Sequence, residues 1–245
     1  ALASFPSGLA MSVGEEELAA ISFPLGADRW RALKGMGTVR TASGSSDGAF
    51  VAATVAEGTW FILAARDGAV LARVDAHPEG AHLVAWHPNS RRVFTCGILG
   101  MVRSWAWDPA AATLTLETER AVSTTGIWTM SISPDGRRLI LGGDEGDGLL
   151  IDSSTLQGIR LVGHQGGAIY SSCFHPDGTR VVTGAFDNTA RVWDTATGEE
   201  LLALRSHRFA IHGMAFDASG RTLLTVGGDG LAILRQGGPS PTSAP

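Results

Sequence analysis

Residues Gly163 to Asp194 read GHQGGAIYSSCFHPDGTRVVTGAFDNTARVWD. A Gly-His pair comes first, then an apolar run, a Pro-Asp-Gly turn and a second apolar run. An Asp-centred turn follows, and a third run ends in Trp193-Asp194. Short alternating runs with turn residues between them predict an antiparallel meander. The next run, Glu199 to Leu204, predicts a fourth strand.

The turn after the first strand recurs along the chain. It reads FPSG at Phe5–Gly8, SSDG at Ser45–Gly48, HPNS at His87–Ser90, SPDG at Ser133–Gly136, HPDG at His175–Gly178 and DASG at Asp217–Gly220. Successive turns are spaced by 40, 42, 46, 42 and 42 residues. The longest spacing holds the extra loop DPAAAT, Asp108–Thr113. A period of roughly 40–45 residues with four strands per unit is the period of a propeller blade. The stretch from Gly163 resembles the WD repeat, whose GH and WD signatures appear here as His164 and Trp193-Asp194. The resemblance implies an all-β propeller of four-stranded antiparallel blades.

The spacing divides the chain into units of about 1–34, 35–74, 75–121, 122–162, 163–205 and 206–236, with a flexible tail at 237–245. The weak first unit is accepted because VGEEELAAIS at Val13–Ser22 parallels VGGDGLAILR at Val226–Arg235. The first and last units are expected to be incomplete. Ala1–Phe5 reads as the end of a first strand, and unit six stops after its third. Propellers of the resembled family commonly close by taking an outer strand from the N-terminal side, so a missing strand, or a whole seventh blade, is expected upstream of Ala1. A rival register makes Gly14–Ser22 the outer strand of the last blade and gives a five-bladed ring.

Composition excludes several classes. The 245 residues are 44% hydrophobic and 18% charged, with net charge -5, which is a globular balance. No apolar run approaches the ~20 residues of a spanning helix. Mild acidity argues against a nucleic-acid surface, which needs clustered Lys and Arg. Lys34 is the only lysine among 19 basic residues, which with the Ala and Gly content points to a GC-rich bacterial genome. Cys96 and Cys173 fall in different units and read as buried free thiols of a reducing, cytoplasmic protein. The chain starts without Met or a signal-peptide pattern and reads as part of a longer protein.

The resemblance implies a buried hydrogen-bond set, which unit five matches as His164, Thr183, Asp187 and Trp193. A His-Asp-Thr set also resembles an activated nucleophile, but the family places it inside the blade, away from substrate. Unit six keeps His207, Thr225 and Asp229, with Leu234 read at the Trp position. Unit three keeps Thr95 and Trp105, with Leu99 for the Asp. Unit four has Leu141, Glu145 and Ile151, and unit two has Glu57, without a matching His in either. His77, His82 and His87 are spaced by five, an odd offset that splits His82 and His87 between strand faces. They read as solvated loop histidines, not metal ligands. The acidic run Asp144, Glu145 and Asp147 lacks the spacing of a calcium loop and reads as a hairpin turn. No metal, phosphate-cradle or cofactor motif is found, and none is expected.

One set points to binding. Eight residues before the end of each ruler turn stand Arg40, His82, Trp128, Tyr170 and His212. The resemblance places this position on the narrow top face, together with the residue before the turn acid: Asp144, Phe186 and Gly228. Large amphipathic side chains of this kind are the composition of interface hot spots. The alternative is that Trp128 and Tyr170 fill the seams between blades. The reading is a non-enzymatic scaffold that binds a protein or peptide, with an upstream effector domain in the same chain. Two rival readings are an enzymatic or ligand-binding propeller with a pocket at the central channel, and an inert structural spacer.

Overall fold

The structure, a computed structural model, describes residues 2–4, 9–13, 17–22, 28–123, 125–164 and 166–237. The first ruler turn, Phe5–Gly8, and the tail beyond Gly237 lie outside the described residues. The described residues form strands and turns, with no helix among them.

Unit one holds β1 (Leu2–Ser4), β2 (Leu9–Val13), β3 (Leu18–Ser22) and β4 (Asp28–Ala32). Unit two holds β5 (Val39–Gly44), β6 (Phe50–Val55), β7 (Thr59–Ala64) and β8 (Val70–Asp75). Unit three holds β9 (Ala81–Trp86), β10 (Arg92–Gly97), β11 (Met101–Asp108) and β12 (Thr113–Ala121). Unit four holds β13 (Ile127–Ile132), β14 (Arg138–Gly143), β15 (Asp147–Asp152) and β16 (Gly158–Val162). Unit five holds β17 (Ile169–Phe174), β18 (Arg180–Ala185), β19 (Ala190–Asp194) and β20 (Glu200–Leu204). Unit six holds β21 (Ile211–Phe216), β22 (Thr222–Gly227) and β23 (Ala232–Gln236). Each unit is one antiparallel meander in chain order.

The six-unit register therefore describes this chain, and the five-bladed one does not. Leu18–Ser22 is an inner strand, hydrogen-bonded to β2 on one side and β4 on the other. An outer strand would have one partner. The first unit, expected to be incomplete, has four strands, the first only three residues long. The last has three among the described residues, as its sequence indicated.

The turns mark the period because their geometry repeats. The last residue of each donates a backbone hydrogen bond to the first: Gly48 to Ser45, Ser90 to His87, Gly136 to Ser133, Gly178 to His175 and Gly220 to Asp217. That last residue has positive φ, 56° at Ser90 and between 70° and 74° at the four glycines. A Cβ is costly in this region, so glycine recurs there.

Five apolar clusters lie between six successive sheets. Leu18, Trp30 and Leu33 of unit one meet Val51, Ala53, Phe61 and Leu63 of unit two. Ala52, Trp60 and Ile62 meet Trp86, Val93, Trp105 and Trp107 of unit three. Phe94 and Cys96 meet Ile127, Leu139 and Leu141 of unit four. Ile140, Leu150 and Leu161 meet Phe174, Val181 and Trp193 of unit five. Val182 and Ala190 meet Ile211 and Leu223 of unit six. Second strands are buried on both faces, which is why FVAATV, RVFTCG, RLILGG and RVVTGA read as nearly unbroken apolar runs. In unit six the second strand, TLLTVG, alternates between buried and more exposed residues, and Val226 is 40% exposed.

Packing this close leaves little room at the turns. Gly58 has φ of +92°, and a Cβ there would stand 1.8 Å from the carbonyl oxygen of His77. Gly166 has φ of +72° and open space around the same position. Gly166→Ala should cost about 1–2 kcal/mol, the price of left-handed backbone alone. Gly58→Ala should lower the melting temperature clearly further, because a backbone segment must also move. Equal melting temperatures for the two variants would show that the turn around Gly58 yields freely.

Candidate functional site

The first strand of units two to six carries a β-bulge at its second residue. Val39 pairs with Val55 and Thr41 with Thr54, leaving Arg40 unpaired. The same step leaves out His82 in β9, Trp128 in β13, Tyr170 in β17 and His212 in β21. The residue before each bulge is buried: Val39, Ala81, Ile127, Ile169 and Ile211. A bulge re-aims a side chain away from the regular alternation. Arg40, His82, Trp128, Tyr170 and His212 thus occupy one repeated position at the same end of five neighbouring first strands.

Several of these side chains touch. The His82 and Trp128 rings meet edge to face at 5.2 Å between centroids. Tyr170 lies 5.3 Å from the His212 ring and 6.5 Å from Phe186. Burial, with the nearby Arg40 charge, lowers the pKa of His82. A depressed histidine is neutral at pH 7. Arg40 and His212 are exposed, Trp128 and Tyr170 half-buried, and Phe186 is 61% exposed.

The residue before each turn acid reaches the same end. The backbone N–H groups of Asp144, Phe186 and Gly228 donate to the carbonyls of Gly126, Ala168 and Ala210, just ahead of the bulges. Asp144 Oδ1 accepts from Trp128 Nε1 at 2.6 Å, and Oδ2 accepts from the Gly126 N–H at 3.1 Å. Asp144 therefore fixes the Trp128 indole. The acidic run is otherwise used locally: Arg160 Nη1 sits 2.7 Å from Glu145 and 3.3 Å from Asp147. No group of side chains suited to a metal ion occurs among the described residues.

The second constellation lies inside the units. In unit five, His164 Nδ1 is 3.1 Å from Asp187, and Nε2 is 2.8 Å from Thr183 Oγ1. The indole N–H of Trp193 donates to Thr183 Oγ1 at 2.8 Å. An ionised carboxylate only accepts, so Nδ1 carries the proton and Nε2 accepts from the Thr183 hydroxyl. Burial first, and the Arg191 charge with it, hold the His164 pKa below its usual value despite Asp187. Burial works to raise Asp187, but bonds from Thr189 and His164 outweigh it and the carboxyl titrates below the usual range. Thr183 is fully buried, so no substrate reaches its hydroxyl.

Unit six repeats the arrangement. His207 Nδ1 is 3.1 Å from Asp229, and Nε2 is 2.9 Å from Thr225. Ladder register corrects the assignment of its Trp position. Val181 pairs with Trp193 and Leu223 with Arg235, so Arg235 stands there and not Leu234, which is 69% exposed.

Unit three corrects the reading of His77 as a solvated loop residue. Its side chain is fully buried, and Nε2 is 2.8 Å from Thr95, which also accepts from Trp105 Nε1 at 2.9 Å. The missing Asp is replaced from another strand: Arg103 Nη1 donates to His77 Nδ1 at 2.9 Å. Nδ1 is then an acceptor, and the proton sits on Nε2, the reverse of unit five. Glu79, 3.3 Å from Nδ1, is a longer contact that would need the other tautomer. Burial, and then the Arg103 charge, lower the His77 pKa. The sequence held a signal for this set: His77 precedes Thr95 by eighteen residues, as His207 precedes Thr225. Of the other two histidines in that series, His82 is the bulged rim residue, and His87 is half-buried and accepts from the Asn89 N–H.

Cys96 is buried and Cys173 partly buried, and both are free thiols. Burial pushes each up to about 12, which leaves them protonated and unreactive. No helix among the described residues is long and apolar enough to cross a membrane.

A scan against family models matches residues 155–194 to the WD domain, G-beta repeat. The match spans the end of unit four and unit five as far as Trp193-Asp194. A search of curated proteins returns no match. WD repeats commonly mediate protein–protein interaction, and propellers built from them are typically non-enzymatic.

His164→Ala should leave Thr183 without its acceptor and Asp187 without one donor. A buried unsatisfied group costs about 1–3 kcal/mol, so the melting temperature should fall with the fold retained. A change within about 0.5 kcal/mol, a surface-like effect, would contradict the buried network. The two tautomers give a second check. Long-range nitrogen–proton NMR spectra should show His164 protonated on Nδ1 and His77 on Nε2. In Arg103→Gln the His77 pattern should shift toward the Nδ1 tautomer, through Glu79. A His77 ring protonated on Nδ1 in the unaltered protein would overturn the assignment.

Proposed function

We propose that this chain, a member of the WD-repeat propeller family, is an interaction scaffold whose bulged rim binds an extended protein segment. The observation that carries the reading is the repeated bulge. It takes five side chains, four of them in two touching pairs, out of the sheet alternation at one end of the units. Trp128 and Tyr170 would act as the apolar anchors, with Phe186 extending the surface beside Tyr170. Arg40 at one end of the row and Asp144 beside Trp128 would set orientation by charge. His82 and His212 would complete the row as neighbours of the two anchors. The module would serve a cytoplasmic bacterial signalling protein, as the arm that recruits a partner to an effector domain.

The half-burial of Trp128 and Tyr170 favours anchors over seam fillers, because the seams are filled by residues that are almost fully buried, such as Ile127 and Ile169. The test is the double variant Trp128→Ala with Tyr170→Ala. Binding should weaken by roughly thirtyfold or more, the effect of losing about 2 kcal/mol at a hot spot. The partner set would be identified by mass spectrometry on the immobilised wild-type chain, and affinities measured for both chains. Melting should move by less than about 1 kcal/mol. A double variant that loses several kcal/mol of stability and keeps its partner would make the two aromatics structural.

A further inference from the structure

The second repeated rim position changes character from unit to unit. It holds a carboxylate in unit four (Asp144), a phenyl ring in unit five (Phe186) and no side chain in unit six (Gly228). Its backbone is held the same way each time, by the N–H bond to the carbonyl ahead of the bulge. Position is therefore constant while chemistry is not.

In unit four the carboxylate is exposed and fixed by neutral donors, the Trp128 indole and the Gly126 N–H. A carboxylate offers about four acceptor sites, so about two remain. Among the described residues no Arg, Lys or His side chain forms an ion pair with Asp144, and Arg160 is engaged by Glu145 and Asp147 instead. A cation placed on Asp144 also meets the half-buried indole that the same carboxylate fixes.

Units five and six continue the rim as a row of rings. Phe186 meets Tyr170, and Tyr170 meets His212. A Cβ added at Gly228 would stand 3.4 Å from both His212 Nε2 and the Phe209 Cβ. Phe209 therefore ends the row, and the missing side chain leaves a notch between it and His212. Phe186 is 61% exposed and Phe209 62%. Charge sets the order along the rim. Arg40 stands at one end and Arg208, next to Phe209, at the other. Among the described residues neither guanidinium meets a carboxylate. A cation on a partner is repelled at both ends and attracted at Asp144 between them.

We propose, resting on the rim reading above, that the partner segment carries one basic side chain, Arg or Lys, which docks on Asp144 and Trp128. A large apolar side chain of the same segment enters the notch between His212 and Phe209. Packed sheets lie about 10 Å apart and an extended chain advances about 3.3 Å per residue, so two sheet spacings separate the basic and the notch residue by about six positions. A residue midway lies against Phe186 and Tyr170.

The probe is a phage-displayed library of random peptides of about twelve residues, twice that separation, selected on the immobilised 245-residue chain. Selected peptides should share an Arg or Lys about six positions from a large apolar residue. Asp144→Asn keeps an acceptor for the Trp128 indole and removes the charge. It should weaken a selected peptide about tenfold, and Gln in place of the peptide's basic residue should do the same on the unaltered chain. The two changes together should weaken binding no more than either alone. Phe209→Ala should also weaken it about tenfold, with melting unchanged. Peptides that lose binding to the Trp128→Ala, Tyr170→Ala double variant but share no basic residue would overturn this proposal and leave the rim reading standing. A library without any binder sensitive to that double variant would remove both. A dimer of the chain that Asp144→Asn dissolves would make a second copy the occupant and overturn the proposal as well.

Discussion

The sheets of units two to five each bury both of their faces against other sheets. A four-stranded meander has no interior of its own, so the only dry surfaces are those between neighbours. The second strands show this residue by residue. Val181 packs into unit four and Val182 into unit six. Val93 packs into unit two and Phe94 into unit four. Successive side chains on one strand therefore belong to different clusters. Removing any of units two to five would expose apolar surface on two others, which makes the array cooperative although its hydrogen-bonded ladders are local.

That constraint also decides how much the polar networks must agree between units. Unit five encloses His164, Thr183, Asp187 and Trp193 with every partner satisfied. Unit three keeps His77, Thr95 and Trp105 and supplies Arg103 in place of a carboxylate, which reverses the imidazole tautomer. Unit four abandons the network and places Leu141 and Ile151 at the Thr and Trp positions, both buried. A donor and acceptor replaced together by apolar groups leaves nothing unsatisfied, so the exchange is close to neutral. A single loss would not be. This is why units three and four still fold like unit five: one is compensated and the other wholly apolar at the Thr and Trp positions.

Much of the fold was legible because its strongest signals are local. The ruler turns read at Ser45–Gly48 and onward coincide with real left-handed turns, and the runs between them became the first and second strands. The rival five-unit register failed because Leu18–Ser22 has partners on both sides, a fact of pairing that the likeness to Gly198–Ser206 could not carry. Long-range compensation was harder to see. His77 reads as a loop residue when it is grouped with His82 and His87 by their five-residue spacing, and nothing local announces Arg103 as the partner of its ring. The one-residue error at Leu234 has the same origin. Counting along β23 from its turn misplaces a position that the ladder fixes through Leu223 and Arg235. The shared rim position of Arg40, His82, Trp128, Tyr170 and His212 was visible from spacing, whereas the bulges that lift those side chains out of the ladder were not.

The bulges explain how a fold so constrained leaves room for recognition. A residue in regular alternation faces one neighbour or the other, and both directions are occupied by packing. The bulged residue leaves that alternation, because the partner strand skips it. Ile127 and Ile169 are buried, while Trp128 and Tyr170 immediately after them are only half-buried. Substitution at the bulge thus changes the surface without opening a seam, and the five units hold four different residue types there. Unit six shows the opposite case at Arg235, where a change on the packed face removes an aromatic wedge and leaves a charged groove between sheets. Surface identity at the rim is free to vary, whereas a polar residue on a packed face leaves a groove between sheets.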